Sequence, residues 1–380
     1  MTTSSRTNNP DFKGTPARLA PEAASGSGGA PARDHSIRHV AAIAGVSVAT
    51  VSRVLNTPEL VKPDTADRVR SAIRRLNYRP NPFAKGLTTR RSRLLGLSVP
   101  ELHGEYYSSL VTAADRAARA RGYHVLVTSH IPGGGEGGEV GGPSEDPRDA
   151  FRIDVLDGLL LMVTDLERDA RNLAALEELA VPAVVLGRAG PGGRAPSLVV
   201  DSAAGARAAT RHLLDGTPPE RCFFVGGPRT NSDTAERQGA FLATLREAGH
   251  RASADQCAFG SYSIDTGVRW ARGMIAAGRL AGAAVLAGND EIAVGILNEA
   301  RDSGIEVPRD LRIVGFDDTS LCRLVRPTLS SVRIPKEDLG RGAVDLLIDL
   351  IESGGAAPAA RPLATELVVR ESSAVPGPAA

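Results

Sequence analysis

A chain of 380 residues is long enough for two or three domains, each with its own core. The formal net charge of +1 names no partner in bulk, but residues 1–93 carry 16 Lys and Arg against 6 Asp and Glu, and residues 36–93 carry 12 against 3; a small basic module on an acidic remainder points to a polyanion partner for that module alone. Cys222, Cys257 and Cys322 lie far apart without CxxC spacing, which excludes a disulfide framework or cysteine metal site, and the absence of an apolar leader or an 18-residue apolar run speaks against export or a membrane span and for the cytoplasm.

Residues 1–35, including "PEAASGSGGAPAR", are rich in Gly, Pro, Ser and Ala without apolar periodicity and read as a disordered tail. Three short helical patterns follow. "IRHVAAIA" puts Ile37, Val40, Ile43 and Ala44 on one face and stops at Gly45; "SVATVSRVLN" starts at Ser47, a good N-cap. "PDTADRVRSAIRRLNY" opens with Pro63 at a first helical position and is expected to bury Ala66, Val69, Ile73 and Leu76. After a Pro-Asn-Pro break, residues 83–87 form a candidate further helical turn ahead of the polar "TTRRSR". The first domain is therefore placed at 36–80, with a hinge helix and linker at 81–93.

From Leu94 the pattern changes to short apolar strands alternating with amphipathic helices: "RLLGLSV", "HVLVTS", "DGLLLMV", "AVVLG", "SLVVD", "RCFFVGG", "GAAVLAG" and "LRIVGFD". This alternation is that of a parallel, doubly wound α/β architecture. Nine or so strands exceed one compact sheet of this type, so two lobes are expected. The run at 132–147 is a Gly-rich surface loop without the GK[ST] end of a phosphate-binding loop.

A helix, a Gly-containing turn and a second helix make a helix-turn-helix, whose second helix enters the major groove of DNA. In "SVATVSRVLN", Val51, Val54 and Leu55 face inward, leaving Val48, Ala49, Thr50, Ser52, Arg53 and Asn56 toward DNA. Val48 or Ala49 suits a thymine methyl, and the planar fork of Arg53 suits guanine O6 and N7; Thr50, Ser52 and Asn56 suit phosphates. An ordinary surface helix has the same periodicity, and the basic surroundings favour DNA.

In doubly wound sheets, ligands bind beyond the carboxyl ends of the strands. Tyr106 and Tyr107 follow the first core strand, Arg237 the strand in "CFFVGG", Tyr262 that in "CAFG", Asn289 that in "AAVLAG" and Asp317 that in "RIVGF". Aromatic faces with Arg, Asn and Asp make a site for a sugar or a purine-like ring. Each residue also has a plainer reading: Asn289 and Asp290 as helix caps, Asp317 as a turn residue, Arg237 in a surface ion pair, the two Tyr as core.

The stretches "IRHVAAIAGVSVATVSRVLN" and "VKPDTADRVRSAIRRLNYRPNPFAKGL" resemble the N-terminal domain of the Lac repressor/galactose repressor (LacI/GalR) family. "AERQGAFLATLREAG", "AGNDEIAVGILNEARDSGIEVPRDLRIVGFDD" and "PTLSSVRIP" resemble that family's core, so the likeness runs from about Ser36 to Arg370. It implies an all-α helix-turn-helix domain with a hinge helix, followed by a two-lobed, periplasmic-binding-protein-like α/β core with three crossovers. By this pattern the lobes are about 94–193 with 335–362, and 194–334 with 363–370, leaving 371–380 as a tail. Val48, Ala49 and Arg53 match base-reading positions, and Ser47, Thr50, Ser52 and Asn56 match phosphate contacts. Leu87 matches the hinge Leu that wedges into the minor groove, with Ala84 its small neighbour. Arg237, Asn289 and Asp317 match effector contacts, and Tyr106, Tyr107 and Tyr262 match aromatic walls. Two departures stand out. Lys62 replaces the usual capping Ser before the third helix, and "GEYY" (residues 104–107) replaces the frequent Asn-Pro-Phe-Phe, making the mouth of the pocket more polar.

The implied function is a homodimeric transcriptional regulator, chiefly a repressor, bound to a pseudo-palindromic double-stranded operator and controlled by a small molecule, with a saccharide the leading class. Regulation by a protein corepressor and action as an activator are the alternatives. An exported solute-binding protein shares the core fold but has no use for residues 36–93. No set of residues combines nucleophile, base and orienting group, so no enzyme, cofactor or metal is expected.

Overall fold

The computed structural model describes residues 36–78, 91–129, 155–165, 181–187, 196–353 and 362–374. These fall into two compact units, one within 36–78 and one within 91–374. The expected hinge turn with Ala84 and Leu87, the N-terminal tail and the Gly-rich loop lie outside the described residues.

The first unit is three helices: α1 (Ile37–Ala44), α2 (Val48–Asn56) and α3 (Pro63–Leu76). Gly45 ends α1 in the left-handed region (φ 64°), which costs a residue without Cβ nothing, and the chain then turns through 101° into α2. The Oγ of Ser47 accepts from the Thr50 N–H at 3.1 Å and so caps α2. Pro63 sits at the first position of α3, where its missing N–H is no loss, and Lys62 supplies no side-chain cap. Val40, Ala41, Ala44, Val51, Val54, Ala66, Val69 and Ala72 form the core, with Leu55, Ile73 and Leu76 half-buried against it. Ile43, expected inside, is 38 % exposed, and Ala41 takes the inward place. A core built from Val and Ala brings the helices close together, and the small side chain fits where the helices meet.

The second unit carries two sheets. The first contains β1 (Leu94–Val99), β2 (His124–Ser129), β3 (Gly158–Met162), β4 (Ala183–Leu186) and β5 (Ser197–Leu198), ordered β2-β1-β3-β4-β5 and all parallel. On one face lie α4 (Gly104–Ala120) and α10 (Lys336–Ser353), burying Leu95, Leu97, Leu110, Val344 and Leu347 together. The second sheet contains β6 (Cys222–Gly226), β7 (Cys257–Phe259), β8 (Ala283–Ala287), β9 (Leu311–Asp317), β10 (Ser330–Arg333) and β11 (Glu366–Val368). Its order is β11-β10-β9-β8-β6-β7, parallel except for the antiparallel β10–β11 pair. Around it lie α5 (Ser202–Leu214), α6 (Ser232–Glu247), α7 (Ile264–Ala276), α8 (Asp290–Asp302) and the short α9 (Leu321–Leu324). β3, β6 and β8 are buried from end to end, as parallel strands covered on both faces must be.

The described chain passes between lobes after β5, between β10 and α10, and again ahead of β11. The first and third passages run side by side, with the Leu363 N–H on Val199 O at 2.8 Å and the Asp201 N–H on Leu363 O at 2.9 Å. The first passage was expected at 193/194. It comes later, because Ser197 and Leu198 pair with Val185 and Leu186 as the edge strand of the first sheet. Residues 371–374 are not a free tail either. Glu371–Ser373 is a helical turn whose Ser372 and Ser373 are wholly buried; Ser372 Oγ donates to Ile313 O at 2.6 Å, and Arg312 donates to Ser373 O at 3.1 and 3.0 Å. Eleven strands among the described residues, against nine or so expected, reflect the short, largely polar β10 and the three-residue β11.

Candidate functional site

Two surfaces carry the residues singled out in the sequence, one on each unit. On the first, α2 presents Ser47, Val48 (41 % exposed), Ala49, Arg53 and Asn56 to solvent, with Thr50 and Ser52 half-buried beside them. Several of the polar groups are already held locally. Thr50 Oγ1 lies 2.9 Å from Ser47 Oγ, and Asn56 Nδ2 donates to Ser52 O at 2.9 Å and Ser52 Oγ at 3.3 Å. The guanidinium of Arg53 makes no ion pair among the described residues. α2 thus offers a line of small side chains with fixed hydroxyl and amide groups and one unengaged cation.

On the second unit, one cleft gathers all six of the expected effector residues: Tyr106, Tyr107, Arg237, Tyr262, Asn289 and Asp317. Each comes from the carboxyl end of a different parallel strand or from the helix that follows it, with the two Tyr sharing α4. Arg237 lies on α6, one turn past its first residue. It is 4 % exposed, its guanidinium stacks 3.8 Å from the Phe316 ring centre, and Nη1 donates to Gly288 O at 2.5 Å. Its Nη2 stands 4.0 Å from Asp233 Oδ1, while its Nε is buried without a hydrogen-bond partner. A buried donor left unmatched in this way costs about 1–3 kcal/mol until something accepts from it.

Asp317 holds φ at 102° and Asp318 at 49°, a left-handed two-residue turn that is strained for residues bearing a Cβ. Burial pushes the Asp317 carboxyl up to about 8; nearby Arg237 pulls it down and Asp290 pushes it further up. Burial likewise raises the phenols of Tyr106 and Tyr107, and pushes Tyr262 up to about 12. All three therefore remain neutral donors at physiological pH.

The rings form walls. Tyr106 and Tyr107 meet edge-on at 5.1 Å, and Tyr262 lies so close to Gly227 that a Cβ there would stand 2.5 Å from its ring. The Tyr262 hydroxyl is fixed by Thr234 Oγ1 at 2.7 Å and donates to Asn231 Oδ1 at 3.3 Å. Asn289 does cap α8, its Oδ1 accepting from the Ile292 N–H at 2.9 Å, and it lines the cleft as well. Asp290 is wholly buried and structural. It accepts from Thr319 N–H and Oγ1 at 2.7 and 2.8 Å and from Ser331 Oγ at 2.6 Å.

Sequence reading passed over Asn231 and Asp233 on the rim of α6, and Glu101 and Glu291 at the mouth. Asn231 carried a usable signal, since "TNSDTAER" places a capping Asn at the start of a helix just after a strand; its Oδ1 accepts from Thr234 N–H at 3.1 Å. Ala84 and Leu87 lie outside the described residues, so no contact of theirs enters this geometry. No single helix among the described residues is long and apolar enough to cross a membrane.

Comparison with known proteins adds the following. Residues 36–81 match the family of bacterial regulatory proteins described as lacI family, and residues 211–373 match the periplasmic binding protein-like domain. The chain is 32 % identical to catabolite control protein A of Staphylococcus xylosus, over 82 % of this chain and 91 % of that one. The solved transcriptional regulator CelR–cellobiose complex is 28 % identical with a TM-score of 0.64, covering 89 % of this chain and 99 % of that one. The Lac repressor dimer bound to operator and an anti-inducer is 25 % identical with a TM-score of 0.76, covering 90 % and 99 %.

Proposed function

The chain belongs to the LacI family of bacterial regulatory proteins, and from that premise we propose that it is a homodimeric repressor released from, or locked onto, a pseudo-palindromic operator by an uncharged saccharide. As a member of the family it is a DNA-binding transcriptional regulator controlled by a small molecule. The specific roles are our reading. Val48, Ala49 and Arg53 read bases, while Ser47, Thr50, Ser52 and Asn56 grip phosphates and set the register. Leu87, with Ala84 beside it, wedges into the minor groove between the half-sites.

The observation that carries the effector reading is the convergence of six residues from five separate strand ends on one cleft in which a buried Arg237 Nε lacks an acceptor. A sugar supplies what this arrangement lacks. Its hydroxyls accept from Arg237 and donate to Asp317, and its ring faces lie on Tyr106, Tyr107 and Tyr262. The cellobiose in the CelR complex is such a ligand for a protein of the same fold.

The test has two parts. Selection of binding sites from random duplex DNA with the full chain is expected to return paired half-sites. A panel of mono- and disaccharides, cellobiose included, is then expected to contain one that changes retention of that DNA in the wild type and not in Arg237→Ala. Recovery of no specific site refutes the DNA reading. Equal responses in wild type and Arg237→Ala place the effector elsewhere.

A further inference from the structure

The cleft is bridged on both of its rims by contacts between the lobes. On one rim, Glu105 in the first turn of α4 reaches from the first lobe to Ser320 in the second, 215 residues away in sequence. Its carboxylate accepts from the Ser320 N–H at 2.8 and 3.0 Å and from the Ser320 hydroxyl. Beside it, Glu291 of the second lobe approaches α4 so closely that a Cβ on Gly104 would stand 3.7 Å from Glu291 Oε1. On the other rim, the Ser232 N–H donates to Thr164 O at 2.8 Å, and Asp165 and Asn231 form an isolated bridge.

We propose that Glu105 is a positioning residue that holds the two lobes together across the effector cleft, so that the contacts on the far rim depend on it without touching it. Hydrogen bonds to an ionised carboxylate are about twice as strong as neutral ones, and here one carboxylate takes an amide and a hydroxyl at once. On the far rim Thr164 O accepts from the Ser232 N–H at 2.8 Å and, at a longer 3.4 Å, from its hydroxyl; acceptor and donors are all neutral there, a weaker tie than the carboxylate's. Lobes hinged through three chain passages move as bodies, and releasing the stronger rim strains or opens the weaker one. Glu105 thereby acts on any ligand through the closure of the cleft, while Arg237 and Asp317 act on it directly.

Hydrogen exchange of the full-length protein without added ligand tests this in wild type, Glu105→Ala and Glu105→Gln. In Glu105→Ala the Ser320 amide and the distant Ser232 amide are both expected to exchange at least tenfold faster. Val285 in β8 and Ile313 in β9, deep in the second sheet, report whether the fold is intact and are expected to keep wild-type protection. Glu105→Gln retains an acceptor and gives up the charge, so its rates are expected between the two; should Glu105→Ala lose protection at Val285 and Ile313, the comparison rests on Gln alone. A variant that frees the Ser320 amide while Ser232 keeps its wild-type rate shows a local tie and overturns the proposal. Rapid exchange of both amides in the wild type overturns it equally, since the rims are then open in solution.

Discussion

Ser47 has an observed role as a helix cap and a proposed one as a phosphate contact, and the energetic signs of the two can be separated by substitution. Its Oγ accepts from the Thr50 N–H at 3.1 Å, capping the helix that faces outward, and the same exposed hydroxyl is the proposed phosphate contact. Ser47→Ala removes both. Loss of a Ser cap costs about 1 kcal/mol, within a range of roughly 0.5–2. For a helical unit of about 40 residues the total stability is on the order of 2–6 kcal/mol, so the loss is a substantial fraction. Ser47→Asp keeps a cap of at least equal quality and adds a charge that the helix N-terminus favours, so the unit's stability is expected to hold or rise. Its carboxylate, however, faces the phosphate backbone. Exchange protection of the α2 and α3 amides in the full-length protein, together with operator titrations by fluorescence anisotropy from low to high salt, separates the two effects. Ser47→Ala is expected to lower both protection and affinity. Ser47→Asp is expected to keep protection, bind more weakly than Ser47→Ala at low salt, and approach it as salt screens the repulsion. If Ser47→Asp binds operator like the wild type at low salt, Ser47 does not meet phosphate and its role is capping alone.

Arg53→Ala is expected to cost roughly 1–3 kcal/mol at one base pair in each half-site and little elsewhere, read by affinity for singly substituted operators; uniform weakening across sequences would assign Arg53 to phosphate instead. Asp317 titrates in the folded protein far above its ordinary value, so folding favours its protonated form. The stability this contributes is full below about pH 4 and declines as pH rises toward and through about 8; Asp317→Asn is expected to flatten that part of the Tm–pH curve, and an unchanged slope would show that another group carries it. Gly227→Ala forces the Tyr262 ring away from a Cβ that would lie 2.5 Å from it, breaking the bonds to Thr234 and Asn231. A loss of about 1–3 kcal/mol of unfolding free energy is expected, read as a lowered denaturant midpoint at unchanged m, and no change would mean that the ring has room to move.

Much of this was legible in the sequence because the signals are local. Ser47 as a cap, Pro63 at a helix start, Gly45 at a helix end and the unbroken apolar runs of β3, β6 and β8 each follow from neighbouring residues alone. Position at a strand end was enough to bring six residues from five distant strand ends to one cleft, since parallel strands all end on the same side. What escaped depends on long-range partners. β10 begins with two serines, which read as a loop until Ser330 meets Arg370 and Ser331 meets Asp290. The turn at 371–373 looks like a polar tail, and only partners far back in the chain, His212, Arg312, Ile313, Thr328 and Ser330, fix it. The pairing of Glu105 with Ser320 has no sequence signature, because nothing local sets their distance.

The turn at Asp317 and Asp318 joins two parts of the molecule that are usually distinct. Asp317 lies on the floor of the cleft, its backbone oxygen accepting from Lys336 Nζ at 2.6 Å, where the chain crosses between lobes. Asp318, its neighbour, pairs with Arg333 at 2.8 Å at the end of β10, just ahead of the second passage, and with Arg370 at 2.7 Å just past β11, beyond the third. For the descent of such a regulator this divides the cleft into two kinds of position. On the effector reading proposed above, substitutions along the tyrosine wall are expected to alter which ligand is recognised and to leave the passages between lobes as they were. On the same reading, a change that reshapes the turn is expected to act on ligand and lobe angle together, which would tie the history of this aspartate pair to that of Arg333, Lys336 and Arg370. Those five residues are expected to be replaced as a set or not at all.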